Sequence, residues 1–266
     1  MIATLRVAFA LVLREFTRFR RQPQRVIGTV AQPLLFWAFL GSGFSSSFQA
    51  PGQAPGMQGV GYLEYLYPGI MLMMMLFASI FSSITVIEDR DQGFLQGVLV
   101  APVSRLAIVL GKVLGGAFIA LVQVLILTVA APLMGIHLSA GGFALLLLAY
   151  VLGSIGFAAT GFLFAWRMES SAGFHAIMMV FLMPLWMLSG ALFPLDGAPG
   201  WLYALMIVNP VSHALILMRD PFYMDAGAML ASPRYLAALA VTLAWALLCL
   251  GWAMVRVERR ERGVSS

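Results

Sequence analysis

Six stretches of 19 or more residues, each without a single Asp, Glu, Lys or Arg, run through this chain at 26–44, 66–87, 113–134, 143–166, 172–195 and 235–255. At ~1.5 Å of rise per residue each can cross a hydrocarbon core ~30 Å thick, and lipid obliges a crossing segment to pair its backbone internally, as a helix does. The 266 residues are 61% hydrophobic and 10% charged, whereas soluble domains carry about 45–50% and about 25%. The sequence therefore reads as an all-α polytopic membrane protein. Its six transmembrane helices form one domain, 26–255, flanked by an N-terminal segment 1–25 and a basic cytoplasmic tail 256–266. The single cysteine, Cys249, lies inside the last apolar stretch, which excludes an internal disulfide and a CxxC metal site.

An even number of spans puts both termini on one side. Fourteen of the sixteen basic residues fall there: six before the first span, then Arg90, Arg105, Lys112, Arg167 and four in 256–262. Only Arg219 and Arg234 fall opposite, so the positive-inside bias predicts cytoplasmic termini. The net charge of +5 is thus a topology signal and calls for no nucleic-acid partner. The first 25 residues are charged along their whole length, unlike a cleavable signal peptide. Leu5, Phe9, Val12, Phe16 and Phe19 share one helical face, and Arg14, Arg18, Arg21 and Arg25 share another. That pattern predicts an amphipathic helix lying in the membrane interface, its arginines among lipid phosphates, ended by Pro23. The alternative is a tail whose charge only sets topology.

The connection between spans five and six holds two apolar runs of eight residues, 201–208 and 211–218, around Asn209-Pro210. Eight helical residues reach only ~12 Å, which predicts two short re-entrant helices at about 200–219 that dip into the outer leaflet and turn at the Asn-Pro. A loop lying on the outer surface is the alternative. The 45–61 connection is Ser/Gln/Pro/Gly-rich, and 135–142 is a tight crossing.

Within the spans only Gln32, Gln123 and His175 are large polar groups. Transporters driven by ion gradients place ionisable residues in their spans, so uphill movement by this chain would need energy from a partner. His137, His175 and His213 fall in separate segments, with no HExxH and no GxxxxGK[ST] phosphate loop. A serine hydrolase would need Ser154 or Ser189 beside His175 or His213, yet Gly153, Ser154, Gly156 and Gly161 have a simpler use in close helix packing.

Between spans two and three lies a compact cassette. Glu88, Asp89, Arg90 and Asp91 mark the end of the span, Gly93 permits a sharp turn, and Phe94, Leu95, Val98 and Leu99 form the apolar face of a short helix that Pro102 stops. A short amphipathic helix held between two rigid spans suits the transfer of mechanical work from a soluble motor. The alternative is a helix lying on the lipid surface.

At these residues the sequence resembles the ABC-2 type permeases, the membrane subunits of ATP-binding cassette exporters. Asp89-Arg90-Asp91-Gln92-Gly93, Leu95, Val98-Leu99 and Pro102-Val103-Ser104-Arg105, then Leu110-Gly111-Lys112, follow the family pattern in order. So do 189–194 (SGALFP), Asn209-Pro210 and His213-Ala214. The likeness covers nearly the whole chain and looks closest to the drug-resistance and lipo-oligosaccharide export branch. Phe94 and Gln96 depart from the Thr or Ser and the Glu more often found there.

The resemblance implies a coupling helix, about 88–105, seated in a cleft of a separate ATPase, with two permeases and two ATPases in the working unit. The second permease is a copy or a homologue. ATP and magnesium would bind the partner ATPase, no cofactor this chain, and the membrane would be the bacterial cytoplasmic one. The coupling set carried over is Glu88, Asp89, Arg90, Asp91, Gly93, Phe94, Leu95, Pro102, Ser104 and Arg105. In it Asp89, Arg90, Asp91 and Arg105 would touch the ATPase surface, and Phe94 and Leu95 would fill its cleft. The N-terminal helix would lie alongside as a connecting helix, and Asn209, Pro210 and His213 would belong to an outer gate. Met73, Phe77, Phe81, Phe181 and Trp186 are the expected lining of an apolar path at a dimer interface for a hydrophobic or amphipathic cargo: a drug, a lipid or a lipid-linked glycan. The plainer reading makes them lipid-facing and packing residues. The rivals to a permease are a membrane scaffold that anchors an ATPase without a path, and an intramembrane enzyme.

Overall fold

Each long apolar run folds as a helix. The structure, a computed structural model, describes residues 2–44, 60–100, 104–134, 138–195 and 198–262. The expected loop 45–61 therefore lies almost wholly outside the described residues, as do Pro102, Val103 and residues 135–137 of the 135–142 crossing, His137 among them. In chain order the helices are α1 (Ile2–Arg20), α2 (Pro23–Phe44), α3 (Tyr62–Ser82), α4 (Ile84–Asp91), α5 (Phe94–Val100) and α6 (Arg105–Ala130). Then come α7 (Ala140–Ala165), α8 (Ser171–Trp186), α9 (Gly200–Val208), α10 (Pro210–Arg219), α11 (Ala226–Ala231) and α12 (Pro233–Arg262).

Among the described residues, six helices are long and apolar enough to cross a membrane: Ile27–Phe44, Tyr62–Asp91, Arg105–Ala130, Ala140–Ala165, Ser171–Ala191 and Pro233–Val257. Several limits differ from those read off the charges; the second span runs Tyr62–Asp91 rather than 66–87, its helix continuing through Glu88–Asp91. The third span begins at Arg105 rather than 113, because Lys112 is buried among carboxylates and does not leave the bilayer. The fifth stays α-helical only to Trp186, then passes through a π turn, Met187–Ala191, behind Pro184. The helix of the sixth span continues past Val257 to Arg262, so the described part of the basic segment is helical.

The span formed by α3 and α4 is the axis of the bundle. Its most apolar window is 94% buried inside the protein, against 11% for the first span and 22% for the fifth and sixth. A helix apolar on every face belongs at the centre of a bundle, and α2, α6, α7, α8 and α10 all pack on α3. Close approach depends on small residues: a Cβ on Gly161 of α7 would sit 2.8 Å from the Ile80 carbonyl oxygen and 2.9 Å from its Cα.

Side-chain bonds fix which ends lie together. Arg90 of α4 reaches carbonyls at the end of α7, and Arg105 at the start of α6 reaches Val257 of α12, so these termini share one end with α1. At the opposite end Tyr62 and Tyr65 meet the π turn, and Gly142 at the start of α7 lies by Pro221. The chain between α8 and α12 thus leaves and returns at that opposite end. Within it α9 and α10 are bent by 81° at Asn209-Pro210, a re-entrant pair and not a crossing.

Candidate functional site

The amphipathic α1 has a third face. Ala8, Leu11 and Glu15, spaced i, i+3, i+7, are buried against α6, while Leu5, Phe9 and Leu13 remain exposed. A Cβ on Gly111 would lie 2.6 Å from Leu11 Cβ and 3.2 Å from the Ala8 carbonyl oxygen, and one on Gly115 would lie 3.1 Å from Glu15 Cβ. Two missing side chains one helical turn apart therefore make the seat for α1.

Charge closes the seat. Lys112 Nζ donates to Glu15 Oε1 at 2.6 Å, to Thr85 Oγ1 at 3.2 Å and to Asp89 Oδ2. The Arg14 guanidinium grips both Asp89 oxygens, each at 2.8 Å, and that hydrogen bonding raises its pKa above the usual arginine value. Arg18 donates to Asp89 Oδ1 at 3.0 Å and to Glu88 Oε2 at 2.6 Å. Three cations meet three carboxylates, so the formal charges cancel. Mutual pairing is what allows Asp89 to be fully buried and Lys112 to keep only 4% of its side chain exposed.

The coupling cassette hangs from this junction. Gly93 takes φ +74°, a left-handed conformation that folds α5 back from α4 without a Cβ clash. Arg14 also lies over the Phe94 ring, 3.8 Å from its centroid, so one guanidinium holds both Asp89 of α4 and Phe94 of α5. Arg90 donates to the Trp166 and Met168 carbonyls at 2.8 and 2.9 Å, a cation completing a helix C-terminus.

Several members of the expected coupling set have partners inside the chain. Asp89 and Leu95 are buried inside the molecule, and Arg90 and Arg105 bond backbone carbonyls at the ends of neighbouring helices. The arginines of α1 expected among lipid phosphates, Arg14 and Arg18, bind α4. Asp91, Ser104 and one edge of Phe94, 36% exposed, are the members of the set that face outward. Glu88 is partly exposed beside Arg18, and Pro102 lies outside the described residues.

At the other end, the broken tip of the fifth span leaves carbonyls without helical partners. Pro184 lacks an N–H, and Gly190 takes φ +89° inside the π turn. Asn209 Nδ2 donates to the Leu185 carbonyl at 2.7 Å while its Oδ1 caps α10 through the Val211 N–H at 3.0 Å. Ser212 reaches the Leu188 carbonyl at 3.3 Å, and the Gly190 carbonyl accepts from both Tyr65, at 2.9 Å, and Arg219, at 2.9 Å. Arg219 also lies 4.2 Å from the Tyr65 ring centroid. His213 Nε2 pairs with the Ile207 carbonyl at 2.8 Å, bracing the bend itself. Tyr65 and Ser212 carry no mark in the sequence, where Gly190 stands only within the SGALFP stretch and Arg219 counts only toward topology.

The expected cargo path is not assembled within this chain. Met73, Phe77, Phe81 and Trp186 are buried in the core, Trp186 donating its indole N–H to the Gly69 carbonyl at 2.8 Å. Phe181 alone faces outward, 57% exposed. The Met and Phe residues of α3 make the central helix, which needs apolar bulk on every side.

Comparison with known proteins agrees with this architecture. The family model described as ABC-2 type transporter matches residues 6–223. The ycf38 protein of Cyanophora paradoxa, named as a transport permease, is 32% identical over 212 residues, covering 78% of this chain and 71% of its own. YbhR of Escherichia coli (strain K12), named as a multidrug ABC transporter permease, is 26% identical over 62% of this chain and 45% of its own. The daunorubicin resistance ABC transporter permease protein DrrB1 of Streptomyces coeruleorubidus is 22% identical over 80% of this chain and 74% of its own.

Proposed function

The chain belongs to the ABC-2 type transporter family, and we propose that it is a permease subunit that exports a hydrophobic or amphipathic molecule, a drug, lipid or lipid-linked glycan, on energy from ATP hydrolysed by a separate chain. Transport permeases of this family work with ABC ATPase subunits. In this reading two ATPases bearing ATP and magnesium serve two permease copies in a bacterial cytoplasmic membrane. The junction of α1, α4, α5 and α6 faces the cytoplasm, where the excess of arginine belongs.

The observation that carries the reading is the Arg14 bridge from Asp89 to Phe94. A push on α5 by a partner reaches α1 through that guanidinium and reaches α4 through Gly93 and Asp89. From Asp89 the buried axis runs to Tyr65, 24 residues away and roughly 36 Å at the helical rise. Tyr65 shares the Gly190 carbonyl with Arg219, so the same rod that is moved at the cytoplasmic end holds the re-entrant pair at the outer end. The span interiors carry no free charge to pair with an ionic cargo, which favours an apolar or amphipathic one.

Phe94→Asp tests the reading. It puts a carboxylate beside Asp89 and removes the aromatic face of α5. The reading expects a co-purifying ATPase in the native chain and its loss in the variant while the six-span fold persists. Retention of full partner binding and ATP turnover would count against α5 as the docking element.

A further inference from the structure

A small cavity of about 20 Å³ lies between α1, α2, α3 and α6, behind the charged junction. Its walls are unusually polar for a membrane interior: Glu15 and Arg18 of α1, Thr29 of α2, Ser82 of α3, Thr85 of α4 and Gln123 of α6. Gln123 is 2% exposed, and neither its carboxamide nitrogen nor its oxygen pairs with a described protein group. A primary amide brings two N–H donors and two lone pairs, and leaving all of them unmet in a low-dielectric interior costs far more than ordering a solvent molecule.

We propose that this cavity is a binding site for one ordered water, which bridges the Gln123 carboxamide to the charged junction. The volume matches: a cavity needs about 10–15 Å³ by this measure to hold a water, and the site has room for one and not for a cargo headgroup. The partners are at hand. The Ser82 hydroxyl spends its proton on the Ser79 carbonyl at 2.6 Å and keeps acceptor capacity. Glu15 receives Lys112 and Arg14 on Oε1, and a carboxylate has acceptor sites on both oxygens. A water that accepts from the Gln123 N–H and donates to Glu15 or Ser82 satisfies the buried amide and extends the hydrogen-bonded junction one layer deeper into the membrane. Glu15, Arg18 and Phe19 all belong to α1, so α1 forms one wall of the site.

Microsecond hydroxyl-radical labelling of the full chain in nanodiscs tests the site, because a buried phenyl ring is hydroxylated readily only beside a bound water. Phe81, 9% exposed, lines the cavity, and Phe222, 8% exposed and away from it, serves as the exposure-matched control. Phe81 should label several-fold faster than Phe222, and Gln123→Leu should lower the Phe81 rate about threefold or more by removing the water's main partner. In the unmodified chain mixed with H₂¹⁸O, the label on Phe81 should acquire ¹⁸O later than the bulk solvent does on mixing. Equal rates at Phe81 and Phe222 would overturn the proposal, as would a Phe81 rate untouched by Gln123→Leu or ¹⁸O uptake as fast as bulk mixing. The isotope measurement needs no variant, so a Gln123→Leu chain that fails to fold leaves the test intact.

Discussion

Lys112 and Arg219 show how single buried cations divide the work of this protein. Lys112 has carboxylates of two other helices as partners, and Lys112→Met removes the ammonium from between Glu15 and Asp89. Leaving such charges partly uncompensated costs about 3–5 kcal/mol. The variant should melt well below the native chain in detergent, and adding Asp89→Asn should recover part of the loss. A double variant no better than the single one would show that the pair is not coupled. Arg219→Gln removes the charged donor from the Gly190 carbonyl and the cation from the Tyr65 ring. Hydrogen exchange in residues 187–191 should then rise while exchange around Asp89 stays as it was. A uniform rise along the chain would mean loss of the fold rather than release of the outer end.

Among the elements, α1 is the most instructive. Its two surface faces are legible in the spacing of Phe and Arg, yet the face that docks it consists of Ala8, Leu11 and a glutamate, a pattern with no apolar signature of its own. Its complement, Gly111 and Gly115, is visible as small residues but says nothing about which helix will approach. The six spans were legible because freedom from charge over 19 or more residues has few other uses. The start of α6 was not, because a buried and paired Lys112 looks in sequence like an exit from the bilayer. The re-entrant bend was legible from Asn209-Pro210 and the shortness of its limbs. The partners of that bend were not, since they are the Leu185, Leu188 and Gly190 carbonyls at the broken tip of the fifth span. Gly111→Val should lift α1 from α6, costing about 1–3 kcal/mol by overpacking. It should uncouple ATP turnover from transport without abolishing capture of the ATPase by α5, as transport and pull-down on the same preparation would reveal. Wild-type transport with a bulky residue at 111 would remove α1 from the transmission path.

Over the whole molecule, one buried axis joins a charged end to an end held by hydrogen bonds to a broken helix. Which end faces the cytoplasm is predicted by arginine count and is open to direct labelling. In a Cys249→Ala background, Ser266→Cys should react with an impermeant maleimide only in inverted vesicles, and Ala198→Cys only in whole cells. The opposite pattern would invert the topology. The most direct test of the central claim, that motor work enters at the α5 junction, is co-purification in mild detergent from the native host with ATP turnover measured on the captured complex. The account predicts a phosphate-loop ATPase bound to the native chain, lost on Phe94→Asp and retained but uncoupled from transport on Gly111→Val. Recovery of no ATPase, or of one whose binding and turnover ignore Phe94→Asp, would contradict it.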